Sequence, residues 1–518
     1  MWCSACIHAL GADKHNANVF RADERPNILF FFTDDQAFNT LGIYGNEQVK
    51  TPNLDRLGER GVVFDRHYNT TAICMASRAC VMSGLYEYKT GCNFTHGPMG
   101  LEQWATAYPV LLKQAGYKTG FAGKIGFSVS ELKNVDLRGE DGEIICDSFD
   151  FYKGGKVQTS YFTARNARMV EYAEAYPHSS RSYGAATIDF MRESVKSGQP
   201  FCMTVFFKAP HMPFIPDPFF DDVYKDTVWK RPDNFGPEYG EHLPEQARSG
   251  RQARYYEGYY KTDSIYQDTQ RKYHQLIHGV DYSIGMILQE LEKLGIADNT
   301  LIIFTSDNGY SQGARGFGGK VLPYEEPSRA PLIIYDPRLP GTGTPRRTDA
   351  VTGGIDVTAT ILDAARVEIP AVYDGKSLLP VVRDQTVEVR ESLPLFQVWG
   401  AESTRCLSVV TKEYKYIHWY YADKGMTPGD ELYHIAGDPM EMTNLAGNPE
   451  YAPVLKKMQK LYEEQVEHWK AESVDYNGYG EYGILFDQNI PWKTKAELIK
   501  EKEANAPIRT NVGKKKKS

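Results

Sequence analysis

The chain has 518 residues and a formal net charge of −8, a balance that argues against nucleic acid as its main partner, since phosphate backbones recruit strongly basic surfaces. Its 42% apolar and 24% charged residues are ordinary for a globular protein, and no apolar run is long enough to cross a bilayer as a helix. Eight cysteines in a chain this long do not make a disulfide framework.

Residues 1–24 read as a leader or truncated signal. Positions 1–12 are mildly apolar and end in small residues, Ala9-Leu10-Gly11-Ala12, without a basic n-region. Cys3 and Cys6 have C-x-x-C spacing but no second pair to build a metal or redox site. Cys80, Cys92, Cys146, Cys202 and Cys406 read as buried small apolar groups. The run Ile28-Leu29-Phe30-Phe31-Phe32 is continuous and apolar, the pattern of a strand buried on both faces of a parallel sheet. Asp34-Asp35 follows at its carboxyl end, the edge where open α/β sheets place ligands. Thr51-Pro52-Asn53-Leu54-Asp55 starts a helix with Pro in its first turn.

The alternation recurs. Residues 117–122 form a short strand ending at Gly123-Lys124, and 183–196 a helix with Ile188, Met191 and Val195 on one face. Residues 201–207 form a strand leading into Ala209-Pro210-His211. Positions 280–294 form a helix stopped by Gly295. Residues 301–304 form a strand that ends at Ser306-Asp307-Asn308-Gly309, and 331–335 form another. Residues 214–263, rich in Pro, Tyr, Asp and Arg, read as a long excursion over the sheet edge. Past a boundary near 374–384, residues 407–421 alternate as antiparallel strands and 451–471 form an amphipathic helix. After Pro491 the chain is polar and reads as loosely attached, ending in Lys514-Lys515-Lys516-Lys517, a solvated tail.

Most of the chemically suggestive groups therefore follow a strand. In Cys74-Met75-Ala76-Ser77-Arg78 the cysteine begins a helix, beside free N–H groups and the positive dipole end, and Arg78 lies one turn on. Asp34, Asp35, Asp307 and Asn308 offer hard oxygen ligands, suited to Ca²⁺ or Mg²⁺ rather than zinc. Lys124 and Lys320 each follow a glycine, and two prolines stiffen the loop that aims His211. Each piece alone has a plainer reading: a buried thiol, turn-capping acids, surface lysines, a loop histidine.

Together these segments resemble the type I, formylglycine-dependent sulfatases of the alkaline phosphatase superfamily. The likeness runs through Arg25-Pro26-Asn27-Ile28-Leu29, Asp34-Asp35, Thr51-Pro52-Asn53-Leu54-Asp55 and the Cys74 motif to Thr90-Gly91. It continues in Gly116-Tyr117-Lys118-Thr119 with Gly123-Lys124, Asp298-Asn299-Thr300, Ser306-Asp307-Asn308-Gly309, Lys320 and Tyr324-Glu325-Glu326. Glu431-Leu432-Tyr433, Asp438-Pro439 and Asn444-Leu445 are similar to the family's C-terminal signature.

The resemblance implies an α/β fold: a large central mixed, mostly parallel sheet flanked by helices, and a smaller C-terminal α+β subdomain with a short antiparallel sheet. The divisions implied are a catalytic domain over 25–380, the smaller subdomain over 381–490 and a polar, Lys-rich tail over 491–518. On this likeness Cys74 would become formylglycine and act as nucleophile. Asp34, Asp35, Asp307 and Asn308 would hold Ca²⁺, with Mg²⁺ as the other choice. Arg78, Lys124 and Lys320 would stabilise the anion, and His211 would protonate the leaving oxygen. The partners implied are a sulfated carbohydrate substrate and a formylglycine-generating maturation enzyme, in a periplasmic or secreted setting.

Three positions depart from the family pattern. Ala76 replaces a common proline, which bears on the maturation enzyme. Gly126 stands where a histidine is usual, leaving His96 as a substitute by proximity alone, and Arg315 replaces another histidine, an extra cation for an anionic substrate. Trp399, Trp419, Tyr420 and Tyr421 are either sugar-stacking rings or core. The competing readings are a phosphate or phosphonate monoester hydrolase on the same scaffold, and an inert sulfoglycan-binding protein whose Cys74 is never converted.

Overall fold

The computed structural model describes residues 25–131, 143–155, 158–339 and 344–505. The expected leader, with Cys3 and Cys6, and the terminal lysine run lie outside the described residues. The strand Asn27–Asp34 lies at the centre of an eight-stranded sheet. In order across the sheet the strands are Phe151–Gly155, Lys118–Lys124, Phe201–Pro210, Asn27–Asp34, Thr300–Ser306, Leu332–Tyr335, Val62–Phe64 and Arg346–Thr348. The first five pair in parallel, and Leu332–Tyr335 runs against both of its neighbours. The sheet is therefore mixed and mostly parallel, as the continuous apolar runs imply.

Its two faces are covered separately. Ile28, Phe30 and Phe32 pack with Met75, Ala79 and Met82 of the helix Cys74–Ser83 and with Ile361 and Leu362 of the helix Asp356–Ala364. Leu29 and Phe31 point the other way, against Phe190 and Met191 of the helix Ser179–Ser197 and Leu276, Val280 and Ile284 of the helix Asp263–Leu294. That last helix starts seventeen residues before the expected 280. Before Leu276 it buries Tyr266, Thr269, Gln270 and Tyr273 rather than aliphatic residues, so the apolar period does not reveal its start.

A second, four-stranded antiparallel sheet follows chain order: Ser392–Gln397, Cys406–Thr411, Lys415–Trp419 and Gly429–Tyr433. The helix Ala452–Glu472 closes it with Met458, Tyr462, Val466 and Trp469. The loosely attached tail expected after Pro491 needs correction over its first half. Residues Trp492–Asn505 form a helix whose Ile499 is buried in this same core, with the Trp492 ring 5.3 Å from that of Tyr421. Polar composition hid a one-sided apolar contact. Cys146 is half-buried, while the other described cysteines are buried.

A buried ion network ties the smaller sheet to the segment between the strands Thr300–Ser306 and Leu332–Tyr335. Lys415 Nζ lies 2.8 Å from both Glu325 and Glu441, and all three side chains are at most 3% exposed. The Glu325 N–H donates to Glu441 at 2.8 Å. Replacing Lys415 by Met would leave two carboxylates buried with less neutralising charge, a loss of about 3–5 kcal/mol for a pair broken on one side. Urea denaturation of Lys415→Met is expected to show that loss, whereas wild-type stability would mean the network contributes nothing.

Candidate active site

Four neighbouring strands end at one edge of the large sheet. In register, Thr33 lies beside Ser306, Asp34 beside Pro210, and Gly123 beside Phe206. Asp34-Asp35, Asp307-Asn308, His211 and Lys124 therefore leave the sheet together. Asp35 has φ 69°, a left-handed conformation that Asp tolerates. Its N–H donates to Asp307 Oδ1 at 3.1 Å, and its carbonyl accepts from the Tyr273 hydroxyl at 2.7 Å. Gly309 lies so near the next loop that a Cβ there would sit 2.0 Å from the Glu326 carbonyl oxygen. The Asp-Asn-Gly triplet can follow its strand only with glycine third.

One oxygen from each of Asp34, Asp35 and Asp307 lies within 4.8 Å of the others, and all three residues are buried. Asn308 Nδ2 donates to Asp35 Oδ1 at 2.8 Å, which leaves its Oδ1 for another partner. Asp34 Oδ1 and Asn308 Oδ1 are both buried and accept no hydrogen bond among the described residues. Orphaned oxygens of this kind, in a set containing three carboxylates, fit a hard divalent cation such as Ca²⁺ or Mg²⁺.

Three cations surround the acids. Arg78 Nε donates to Asp307 Oδ2 at 2.9 Å, and Nη1 to the Lys124 carbonyl at 2.7 Å. Its guanidinium stands 5.3 Å and 5.2 Å from the rings of Phe32 and Phe206, which fix it from the core side. Lys124 pairs with Asp34, and Lys320 with Asp35. Burial by itself would raise the Asp34 carboxyl, but Lys124, His211, Arg78 and Lys320 together hold it well below the usual range. Asp307 goes the other way: burial, then the adjacent Asp34 charge, push it up. Two acids in one cluster driven apart in this way are crowded by like charge.

Cys74 is the first residue of its helix, 2% exposed, with the helix ended by Gly84 in the left-handed region. One ligand atom each from Asp34, Cys74 and His211 lies within 4.8 Å of the others. The thiol, the imidazole and the acid cluster therefore share Asp34. His211 sits between Pro210 and Met212, with Nε2 3.8 Å from Asp35 Oδ2. Burial outweighs the pull of Asp34 and Asp35 and lowers its ring to about 4.

A pocket of about 160 Å³ opens here, lined by Asp35, Cys74, His211, Lys320, Tyr255 and Trp399 among others. Lys320 lines it, whereas Arg78 and Lys124 are fully buried behind it.

Sequence reasoning missed several neighbours. Lys208 is buried at the end of an apolar strand, and its amine donates to the Gln158 carbonyl at 3.0 Å. Burial, then Lys124, lower its pKa to about 8. A charge inside Phe-Phe-Lys-Ala-Pro was the available signal. Arg251, Gln252 and Tyr255 come to the pocket from the 214–263 excursion, where no periodicity pointed to them.

Two expectations are corrected, and the two readings of the aromatic rings are divided. His96 is not at the pocket; it is half-buried against the Tyr479 ring at 4.5 Å, with its ring nitrogens on the Asn477 and Val398 carbonyls. Arg315 is 2% exposed, paired with Glu326 and Glu441 and stacked 4.5 Å from Tyr324, so it offers no charge to a substrate. Of the four suggested stacking rings, Trp419, Tyr420 and Tyr421 are core, and Trp399 alone lines the pocket.

The family model for Sulfatase matches residues 26–367, and the chain belongs to the sulfatase family. A second model, described as N-sulphoglucosamine sulphohydrolase, C-terminal, matches 313–468. The N-acetylglucosamine-6-O-sulfatase of Bacteroides thetaiotaomicron is 29% identical over 516 residues, covering 87% of this chain and 88% of its own. A solved chain in complex with its substrate D-glucosamine-2-N,6-O-disulfate is 27% identical with a TM-score of 0.73, over 88% of this chain and all of that one. The phosphonate monoester hydrolase of Agrobacterium radiobacter shares the fold, with a TM-score of 0.68 at 21% identity over 86% of this chain and 96% of its own. By family and relatives the chain is a sulfuric ester hydrolase.

Gly126, where the family usually has histidine, has φ +87°, and a Cβ there would lie 2.5 Å from Arg78 Cδ. The Arg78 stem fills the space. Gly126→His, although it restores a family residue, is expected to displace Arg78 and lower 4-nitrophenyl sulfate turnover by about tenfold or more. Faster turnover than wild type would show that the space can be vacated.

Proposed function

We propose that the protein hydrolyses sulfate esters of a sulfated carbohydrate in the pocket beside Cys74. Cys74 is matured to formylglycine by a maturation enzyme, and Ca²⁺, or Mg²⁺, is held by Asp34, Asp35, Asp307 and Asn308. The observation that carries this reading is the sharing of Asp34 between the two groupings, one of three carboxylates and one with Cys74 and His211.

When bound, the cation neutralises the sulfate charge and the converted Cys74 supplies the nucleophilic oxygen. The other roles belong to side chains already in place. Lys320 reaches the pocket wall and pairs with Asp35, so its charge faces an incoming anion at short range. Arg78 and Lys124 act from behind, fixing Asp307 and Asp34 so that the oxygen ligands do not need to reorganise. His211 has its ring at the pocket and is placed to give a proton to the departing alcohol oxygen. A bound sulfate adds negative charge beside that ring and favours its protonated form.

The substrate class draws support from the relatives named for N-acetylglucosamine-6-O-sulfate and D-glucosamine-2-N,6-O-disulfate. A sulfated amino sugar is therefore the first substrate to assay. A periplasmic or secreted location goes with such a substrate, and no helix among the described residues is long and apolar enough to cross a membrane.

The test is the mass of the Cys74 peptide from protein made in a host with maturation activity, paired with sulfate release by wild type and Cys74→Ala. The peptide is expected to be lighter by the difference between a CH₂SH group and an aldehyde, and Cys74→Ala is expected to lose sulfate release. An unmodified peptide from active protein, or turnover retained by Cys74→Ala, would refute the nucleophile. Release of phosphate in preference to sulfate would favour the phosphomonoesterase reading.

A further inference from the structure

Beside the catalytic pocket lies a second cavity, of about 520 Å³. The two share the walls Phe94, Arg251, Gln252, Val321 and Trp399. The inner one has the size of a sulfate and part of a ring, whereas the outer one falls within the usual range for a small-molecule site. Its lining contains Arg251 and Arg254 and no Asp or Glu.

These two arginines differ from their neighbours. Both are exposed. Among the described residues no carboxylate pairs with either, while Arg231, Arg248 and Lys261 pair with Asp263, Glu245 and Glu257. The acids nearest in sequence are thus already engaged. On a chain of net charge −8, an acid-free cavity with two unpaired guanidinium groups is a local reversal of sign.

The arrangement is also anchored. The Arg251 guanidinium carbon lies over the Trp399 ring, 4.4 Å from its centre. Gln252 is buried, and its Nε2 donates to the Lys320 carbonyl at 2.7 Å, tying the start of the helix Gln252–Tyr259 to the catalytic loop. The Gln397 amide donates to the Trp399 carbonyl at 2.7 Å and fixes the opposite wall. Arg251 is therefore held beside the catalytic pocket, and Arg254 follows it on the same anchored helix, as a recognition site needs.

We propose that the substrate carries a second anionic group, a sulfate or a carboxylate on the same or the adjoining sugar, and that Arg251 and Arg254 bind it in the outer cavity. This rests on the carbohydrate sulfatase reading above and narrows it to polyanionic glycans. A guanidinium fork matches both groups, and its charge-assisted bonds favour them over neutral hydroxyls.

Calorimetric binding to the Cys74→Ala protein tests this without turnover. Three ligands separate the sources: D-glucosamine-6-O-sulfate, D-glucosamine-2-N,6-O-disulfate, and a disaccharide of glucuronic acid with 6-O-sulfo-N-acetylglucosamine. At least one dianionic ligand is expected to bind about tenfold more tightly than the monosulfate, and which one gains identifies the anion. In Cys74→Ala/Arg251→Gln/Arg254→Gln the advantage is expected to fall to about twofold or less, with a melting temperature matching the parent because both positions are exposed. Equal binding of all three ligands by the parent, or an advantage that survives the double substitution, would overturn the proposal. Failure of the sulfatase reading is seen separately, as wild-type protein that releases no sulfate.

Discussion

Three carboxylates that are almost wholly withdrawn from water constrain everything else in this molecule. Asp34, Asp35 and Asp307 are each no more than 1% exposed, and their oxygens crowd one small volume. Such charges are tolerated only when paired and hydrogen-bonded. Arg78, Lys124 and Lys320 provide the pairing, and two oxygens that accept no hydrogen bond among the described residues leave room for the divalent cation we propose. The parallel strands matter because they release these residues side by side, and the helix Cys74–Ser83 matters because it brings both the thiol and Arg78 to the same acids.

The supporting layer explains why so many polar residues are buried near this edge. Tyr273, on the long helix Asp263–Leu294, accepts from the Ala37 N–H and donates to the Asp35 carbonyl, at 2.9 Å and 2.7 Å. Ser306 accepts from the Gln36 N–H at 3.0 Å. Farther out, Arg315, Glu325, Lys415 and Glu441 connect the smaller sheet to the segment that carries Lys320. The smaller sheet therefore positions the pocket's outer wall, including Trp399, rather than merely extending the chain.

Much of the site was legible in the amino-acid sequence because its signals are local. Apolar runs of strand length, each followed within a few residues by Asp, Asn, His or Lys, report a common edge without any knowledge of contacts. Arg315 and His96 misled for the converse reason. Their side-chain partners lie 9 to 386 residues away along the chain, so no helical or strand spacing shows that they are already engaged. Arg251, Arg254 and Trp399 were illegible as a group because they meet only through tertiary packing of an aperiodic excursion against the second sheet. The helix Trp492–Asn505 was hidden by composition: a single buried face suffices to dock a segment that is otherwise polar.

The most direct measurement is a crystal structure of the Cys74→Ser protein grown with calcium and a sulfate-ester ligand. One divalent ion is predicted on Asp34, Asp35, Asp307 and Asn308, with a sulfate oxygen on the same ion and the side chain of residue 74 facing the sulfur. An ion bound elsewhere, or a sulfate that lies away from residue 74 while these carboxylates stay paired only with Arg78, Lys124 and Lys320, would contradict the convergence of cation and nucleophile on one anion.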